Sequence, residues 1–121
     1  MLDFCLIRTI QTALHQLDVQ IRDVSGISLN EAYCLCAVSE GIAEPGRLAE
    51  EIGLSRSRLS RILDTLETKG LLERTISPDD RRNILVRLTE KGNYKIQKLH
   101  RTDIALMPPL SNIIKKIHNN I

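Results

Sequence analysis

Apolar side chains in the first 24 residues fall at Phe4, Ile7, Ile10, Leu14, Leu17, Ile21 and Val24. Steps of three and four place them on one stripe, so the spacing predicts an amphipathic helix with a narrow seam. Ser25-Gly26 ends it. Ser28 then stands where an N-cap belongs, and Glu31 three residues on completes a capping box. The helix it opens runs to about Ser39, with Gly41 as terminator. Pro45-Gly46 reads as punctuation, followed by a short helix from about Arg47 to Ile52 with Gly53 at its end. Ser55 caps the next helix, in which Leu59, Ile62, Leu63 and Leu66 recur at helical spacing. Lys69 near its C-terminus suits the helix dipole, and Gly70 supplies the stop.

The period then changes from helical to alternating. Residues 71–76 read as a strand, and Ile84, Val86 and Leu88 alternate with Leu85, Arg87 and Thr89 as a second. Ser77-Pro78-Asp79-Asp80-Arg81-Arg82-Asn83 between them makes a hairpin with a polar tip. A helix is expected from Lys91 to about Met107, broken by Pro108-Pro109. Leu110, Ile113, Ile114, Ile117 and Ile121 mark a last amphipathic helix. The expected fold class is mainly α with a small β-hairpin wing. No internal repeat or low-complexity segment interrupts it.

Composition narrows the function. With 121 residues, 42% hydrophobic and 26% charged, the chain reads as one globular domain. Aromatic residues are 2%, namely Phe4, Tyr33 and Tyr94, with no tryptophan. Aliphatic side chains must fill the core, and a base-stacking platform or aromatic cage lacks its parts. No stretch approaches the roughly 20 apolar residues that span a bilayer. The first residues lack a basic region followed by an apolar run, so no secretory leader and a cytoplasmic location are expected. The three cysteines, Cys5, Cys34 and Cys36, do not make a disulfide framework. Cys34 and Cys36, two apart on a helix, point to opposite sides and read as small buried hydrophobes. His15, His100 and His118 are scattered, so no metal ligand set and no cofactor are expected. No nucleophile triad, glycine-rich phosphate loop or paired carboxylates point to an enzyme.

Charge is informative once divided. The net charge is only +2. Residues 1–45 carry two basic side chains against six acidic, net −4. Residues 46–92 carry ten against eight, net +2, and residues 93–121 carry five against one, net +4. A small total therefore conceals local basic faces.

Two short helices joined around Gly53, with a hairpin directly after, match a winged helix-turn-helix, whose second helix enters the major groove of DNA. Opposite the apolar stripe of that second helix lie Ser57, Ser60, Arg61, Asp64 and Thr68, with Arg56 and Arg58 on the flanks. The candidate DNA-binding set is Arg47, Ser55, Arg56, Ser57, Arg58, Ser60 and Arg61, with no acid among residues 55–61. Small hydroxyl residues let a helix approach base edges, and arginine can pair bidentately with guanine. The helix N-terminus adds attraction for phosphate. The plain alternative is a solvated helix whose arginines pair with Glu50, Glu51 or Glu67. At the hairpin tip, Arg82 is assigned to the minor groove, where potential is most negative over narrow A·T tracts. Asp80 is expected to hold the Arg82 guanidinium in a fixed fork, and Arg81 to contact phosphate.

These segments resemble the MarR family of winged-helix transcriptional regulators. The likeness runs from Leu48-Ala49-Glu50-Glu51-Ile52-Gly53-Leu54-Ser55-Arg56-Ser57 through Leu66-Glu67-Thr68-Lys69-Gly70-Leu71-Leu72-Glu73-Arg74. It continues through Asp79-Asp80-Arg81-Arg82 to Val86-Arg87-Leu88-Thr89-Glu90-Lys91-Gly92. Asp80 and Arg82 in Asp-x-Arg order, followed by Leu-Thr-x-x-Gly, form its most specific part. Ser77 departs from the acid that family members often carry before the proline.

The resemblance implies a single domain over residues 1–121, with a DNA-binding lobe at 28–92 flanked by dimerisation helices at 1–25 and 93–121. Phe4, Ile7, Ile10, Leu14, Leu110, Ile113, Ile114 and Ile117 are the candidate dimerisation residues, on stripes too apolar for solvated arms. The expected partners are double-stranded DNA, a second copy of the chain and a small-molecule effector, with no membrane. Two recognition helices about one DNA turn apart predict a pseudo-palindromic operator. Repression is the expected outcome, since a compact dimer acts most simply by blocking the polymerase. An oxidant-sensing regulator acting through Cys5, with Arg8 nearby, is one alternative. A winged-helix protein-interaction module that has given up DNA is the other.

Overall fold

The structure, a computed structural model, describes residues 1–119. It forms two compact units, one of Met1–Ser28 with the chain from Asp103 onward, the other of Leu29–Thr102. In the first unit, helix α1 spans Phe4–Ser25, as the stripe predicts. Asp3 caps it, its carboxylate accepting from the Leu6 amide at 3.1 Å. Gly26, at φ 75°, ends it by donating to the Arg22 carbonyl.

The second unit contains α2 (Leu29–Ser39), α3 (Pro45–Ile52), α4 (Arg56–Thr68), β1 (Leu72–Ile76), β2 (Ile84–Leu88) and α5 (Glu90–Arg101). The remaining helix, α6 (Leu110–Asn119), belongs to the first unit. Ile121, expected at the end of its stripe, lies outside the described residues.

The core of the second unit is aliphatic, as the lack of aromatics requires. Leu35, Leu48, Leu59, Leu66, Leu71, Leu72 and Val86 are fully buried. Each such side chain contributes roughly 1.5–3 kcal/mol through burial. One charge joins them: Glu31 is buried and accepts from Lys69 Nζ at 3.2 and 3.4 Å. Lys69 thus reaches across to α2, a tie that its place at a helix end does not foretell.

Two boundaries move. Helix α3 begins at Pro45 rather than Arg47. Proline lacks an N–H and has a helical φ, so the first turn accepts it without losing a hydrogen bond. Helix α5 ends at Arg101, well before Met107. Thr102 turns extended there, its hydroxyl donating to the Lys98 carbonyl at 2.7 Å. Helix α5 packs on α2 and β2, so residues 93–101 join the winged-helix unit instead of standing with the outer helices.

The hairpin is antiparallel, in register from Leu72 opposite Leu88 to Ile76 opposite Ile84. Glu73 and Arg87, directly opposite, form an ion pair across the strands. The Val86 amide donates to the Ala43 carbonyl at 2.8 Å, tying β2 to the loop between α2 and α3. Thr89 makes the corner into α5. Its hydroxyl donates to the Gly70 carbonyl at 2.6 Å and also accepts from the Gly92 amide at 3.0 Å.

Gly92 sits so close to the residue that precedes β1 that an added Cβ would lie 1.8 Å from the Leu71 carbonyl oxygen. That contact explains the glycine of the Leu-Thr-x-x-Gly run. Gly92→Ala forces either α5 or the Leu71 peptide to move, at a cost of about 1–3 kcal/mol. A lowered urea midpoint by circular dichroism is the expected result; an unchanged midpoint would show that the corner relaxes freely.

Candidate nucleic-acid interface

The turn between α3 and α4 follows from Gly53. At φ 79° its amide donates to the Glu50 carbonyl, while the Leu54 amide donates to that of Ala49 at 2.9 Å. This pair of bonds closes α3 and redirects the chain. Ser55 then caps α4, its hydroxyl accepting from the Arg58 amide at 3.2 Å and lying 3.3 Å from the Ser57 hydroxyl. Leu59, Leu63 and Leu66 point into the core. Ser55, Arg56, Ser57, Arg58, Ser60 and Arg61 are all exposed, as is Arg47 on α3.

None of these arginines takes part in an ion pair among the described residues. Pairs that do form there include Arg22–Asp18, Lys69–Glu31, Arg74–Asp64 and Arg87–Glu73. Pairing of the α4 arginines with Glu50, Glu51 or Glu67 is therefore not what the structure shows. Asp64, the acid that follows on the same face of α4, is bound to Arg74 at 2.7 Å. The first two turns of α4 are left with uncompensated positive charge.

At the hairpin tip, Asp80, Arg81 and Arg82 are exposed. Asp80 has a different task from the expected one. Its carboxylate accepts from the backbone amide of Arg82 at 3.0 Å, and its carbonyl accepts from the Asn83 amide at 3.0 Å. A short acidic side chain two residues before an amide readily closes such a turn, and that bond replaces the fork to the guanidinium. Asp80 thus shapes the tip that carries Arg82 without restraining the guanidinium.

The tip and the helices meet at a groove of about 600 Å³ between the start of α3, the first turn of α4 and the hairpin. Arg47, Arg56 and Arg82 line it together, with Glu44 and Glu50. Three predicted residues from three elements thus share one surface. Two contributors escape sequence reading. Arg74 clamps β1 to α4, donating to the Ser60 carbonyl at 3.2 Å as well as to Asp64. Gly46 receives the Arg56 guanidinium against its bare Cα. The only advance sign of the first was Asp64, a lone acid on an otherwise basic face.

The family model that matches the chain is that of the MarR family, over residues 25–83. A solved mutant of MarR from E. coli is 26% identical, with a TM-score of 0.73 over 84% of this chain and 75% of that one.

Over residues 25–83 the chain is similar to the MarR family.

Among curated relatives, PapX, an HTH-type transcriptional regulator of Escherichia coli, is 33% identical over 60% of this chain. The transcriptional repressor MprA of E. coli K12 is 34% identical over 61%. The match spans only 40% and 38% of those two relatives, about two fifths of their length. The MarR family match runs from the end of α1 to the hairpin tip, so it contains both helices of the helix-turn-helix.

Outside that match, Phe4 and Ile7 on α1 and Ile113, Ile114 and Ile117 on α6 are exposed. Ile10, Leu14 and Leu110 are half-buried. Of the cysteines, Cys5 is exposed, Cys34 is buried and Cys36 is half-buried. Burial, and then the nearby Glu31 carboxylate, push the Cys34 thiol up to about 12. Burial and the Glu40 carboxylate, which accepts from Cys36 Sγ at 3.7 Å, also raise Cys36. Both thiols of α2 are held protonated, and Cys36 is a hydrogen-bond donor as well as a packing group.

Two measurements check this geometry. Only the thiolate reacts with iodoacetamide, and a raised folded pKa keeps Cys34 neutral until the pH approaches about 12. At pH 8, labelling is expected fast at Cys5, slower at Cys36, and at Cys34 only after unfolding; early labelling of Cys34 refutes its burial. For the clamp, a double-mutant cycle of Arg74→Ala and Asp64→Ala is expected to give a coupling of about 0.2–1 kcal/mol, as the pair is partly exposed. Amide exchange along residues 72–76 should quicken with Arg74→Ala, and unchanged exchange there counts against the clamp.

Proposed function

We propose that this chain is a MarR-family, sequence-specific regulator of transcription that binds double-stranded DNA as a homodimer in the cytoplasm and represses the genes it controls. One observation carries the reading. Arg47, Arg56, Arg58, Arg61, Arg81 and Arg82 are exposed on one winged-helix unit, and none forms an ion pair among the described residues. A solvated surface mixes signs and pairs them; a surface awaiting a polyanion does not. Arginines are paired within the same unit where they hold the fold, at Arg74 and Arg87. The rival protein-interaction module has no need of unpaired arginines on both the recognition helix and the wing.

Chemistry divides among the residues. Arg61, Ser57 and Ser60 face outward on α4 and suit the major groove, where arginine reads guanine and small hydroxyls allow close approach. Arg82 at the tip suits the minor groove, and Arg81 the backbone. The exposed apolar residues of α1 and α6, Phe4 and Ile117 among them, support a second copy as their cover. A two-fold dimer then spaces the recognition helices roughly 34–36 Å apart on a pseudo-palindrome. MprA bears the name of repressor, which agrees with the direction proposed. An effector releases the DNA by favouring a spacing of the two lobes that no longer fits it. No enzymatic activity is part of this reading, and no helix among the described residues is long and apolar enough to cross a membrane.

Titration of the protein into fluorescent duplex DNA across a KCl series tests it. Affinity is expected to fall steeply with salt, because each neutralised phosphate releases counterions. Arg82→Ala should weaken binding and lessen the preference for A·T-rich flanks. Arg61→Ala should cost about 1–3 kcal/mol on the preferred sequence. Salt-independent or undetectable binding by a folded dimer refutes the proposal, and a monomeric mass at micromolar concentration refutes its two-fold part. Peroxide-induced release that disappears in Cys5→Ser would move the effector reading to oxidant sensing; release that persists leaves Cys5 out of it.

A further inference from the structure

Arg56 opens α4 but does not share the face of Arg61. The two are five residues apart, about 140° around the helix. Arg61 is exposed and lines neither the groove beside the hairpin tip nor the smaller apolar cavity next to it, whereas Arg56 lines both. The cause lies on α3. A Cβ built on Gly46 would meet Arg56 Nη2 at 2.8 Å and Cζ at 3.4 Å. The guanidinium rests where any larger residue at position 46 would carry its side chain. Gly46 has no left-handed backbone to explain its presence, and glycine is unfavourable inside a helix. In the first turn of α3 it leaves room for the end of the Arg56 side chain, which a Cβ there would push aside.

We infer that Gly46 and Arg56 form a phosphate clamp: the missing side chain at 46 seats the Arg56 guanidinium in the groove beside Arg47 and Arg82, so Arg56 grips the DNA backbone and takes no part in base reading. This inference rests on the DNA-binding function proposed above. Three guanidinium groups face two carboxylates, Glu44 and Glu50, in that groove, which leaves it net positive and open to one anionic oxygen cluster. A groove walled by the hairpin tip and the start of α3 follows the backbone between a wing in one groove of DNA and a helix in the next. Gly46 is a positioning residue; it acts only through Arg56.

The clamp makes a prediction that a base contact or a folding role does not. Affinities are measured by fluorescence anisotropy for wild type, Arg56→Ala, Gly46→Ala, Arg61→Ala and the Gly46→Ala/Arg56→Ala double variant. The probes are a duplex selected by the wild-type protein from a random pool and an unselected duplex of equal length, from 50 to 200 mM KCl. Arg56→Ala is expected to weaken both duplexes by the same factor. Its deficit should shrink about three- to fourfold over that salt range, as one lost phosphate contact requires. Gly46→Ala should act in the same direction, keep or raise the melting temperature, and add nothing in the Arg56→Ala background. Arg61→Ala, by contrast, should lower the ratio of selected to unselected binding about tenfold or more.

A collapse of that ratio in Arg56→Ala with an unchanged salt slope overturns the clamp and makes Arg56 a base reader. An effect of Gly46→Ala that persists in full without Arg56 overturns the positioning role. Failure of the wild type to bind either duplex overturns the DNA-binding function and the clamp with it, so the two failures are distinct.

Discussion

The docking of the hairpin onto the helices is the constraint from which the rest of the second unit follows. A two-stranded hairpin alone is marginal in water, so β1 and β2 depend on what they touch. Leu71, Leu72 and Val86 are buried, the Val86 amide bonds the Ala43 carbonyl, and Gly92 comes against the Leu71 carbonyl. These contacts leave only the tip, residues 77–83, to project. The same burial holds Leu59, Leu63 and Leu66 inward, which turns the arginines and serines of α4 outward. Wing and recognition helix are thus placed by one apolar core, and Arg74 adds a polar tie from β1 to Asp64 and the Ser60 carbonyl.

Arginine serves two ends in this unit, and the local chemistry separates them. Arg74 has a carboxylate within 2.7 Å and Arg87 has one directly across the strands; both brace the fold. On α4, Asp64 is occupied by Arg74 and so cannot temper the arginines before it. At the tip, the Asp80 carboxylate is occupied by a backbone amide. In each case a nearby acid is withdrawn from the exposed guanidinium groups by another bond.

Helical periodicity and turn residues made most of the architecture legible. The stripes at 4–24 and 59–66, the cap at Ser55 and the alternation at 84–88 all correspond to observed elements, because each is a local consequence of side-chain spacing. Limits of legibility fall where a distant group decides. Nothing near Arg101 in sequence predicts that α5 stops there. Lys69 and Glu31, 38 residues apart, meet only once α2 and α4 pack. The candidate site divides the same way. The outward set on α4 and the tip arginines could be read from spacing, whereas the Arg74 clamp, the backbone role of Asp80 and the seat of Arg56 on Gly46 are tertiary facts.

Local rules are most often broken where function requires it, and the breaks here cluster. Glycine stands in the first turn of α3, where alanine would stabilise the helix. On α3, α4 and the hairpin tip, Arg47, Arg56, Arg58, Arg61, Arg81 and Arg82 are exposed without ion pairs among the described residues, although like charges repel and acids are abundant nearby. A stability optimum would fill position 46 and pair Arg56 or Arg47 with Glu44 or Glu50, which line the same groove. Those carboxylates instead dilute the repulsion between guanidinium groups without neutralising any one of them. The cost to the free protein is small, since exposed pairs are worth roughly 0–1 kcal/mol. The return on meeting a polyanion is larger, because each unpaired guanidinium can form a charge-assisted bond without first breaking another. The asymmetry between a weak surface pair and a strong phosphate contact is what makes an unpaired arginine surface sustainable on so small a unit.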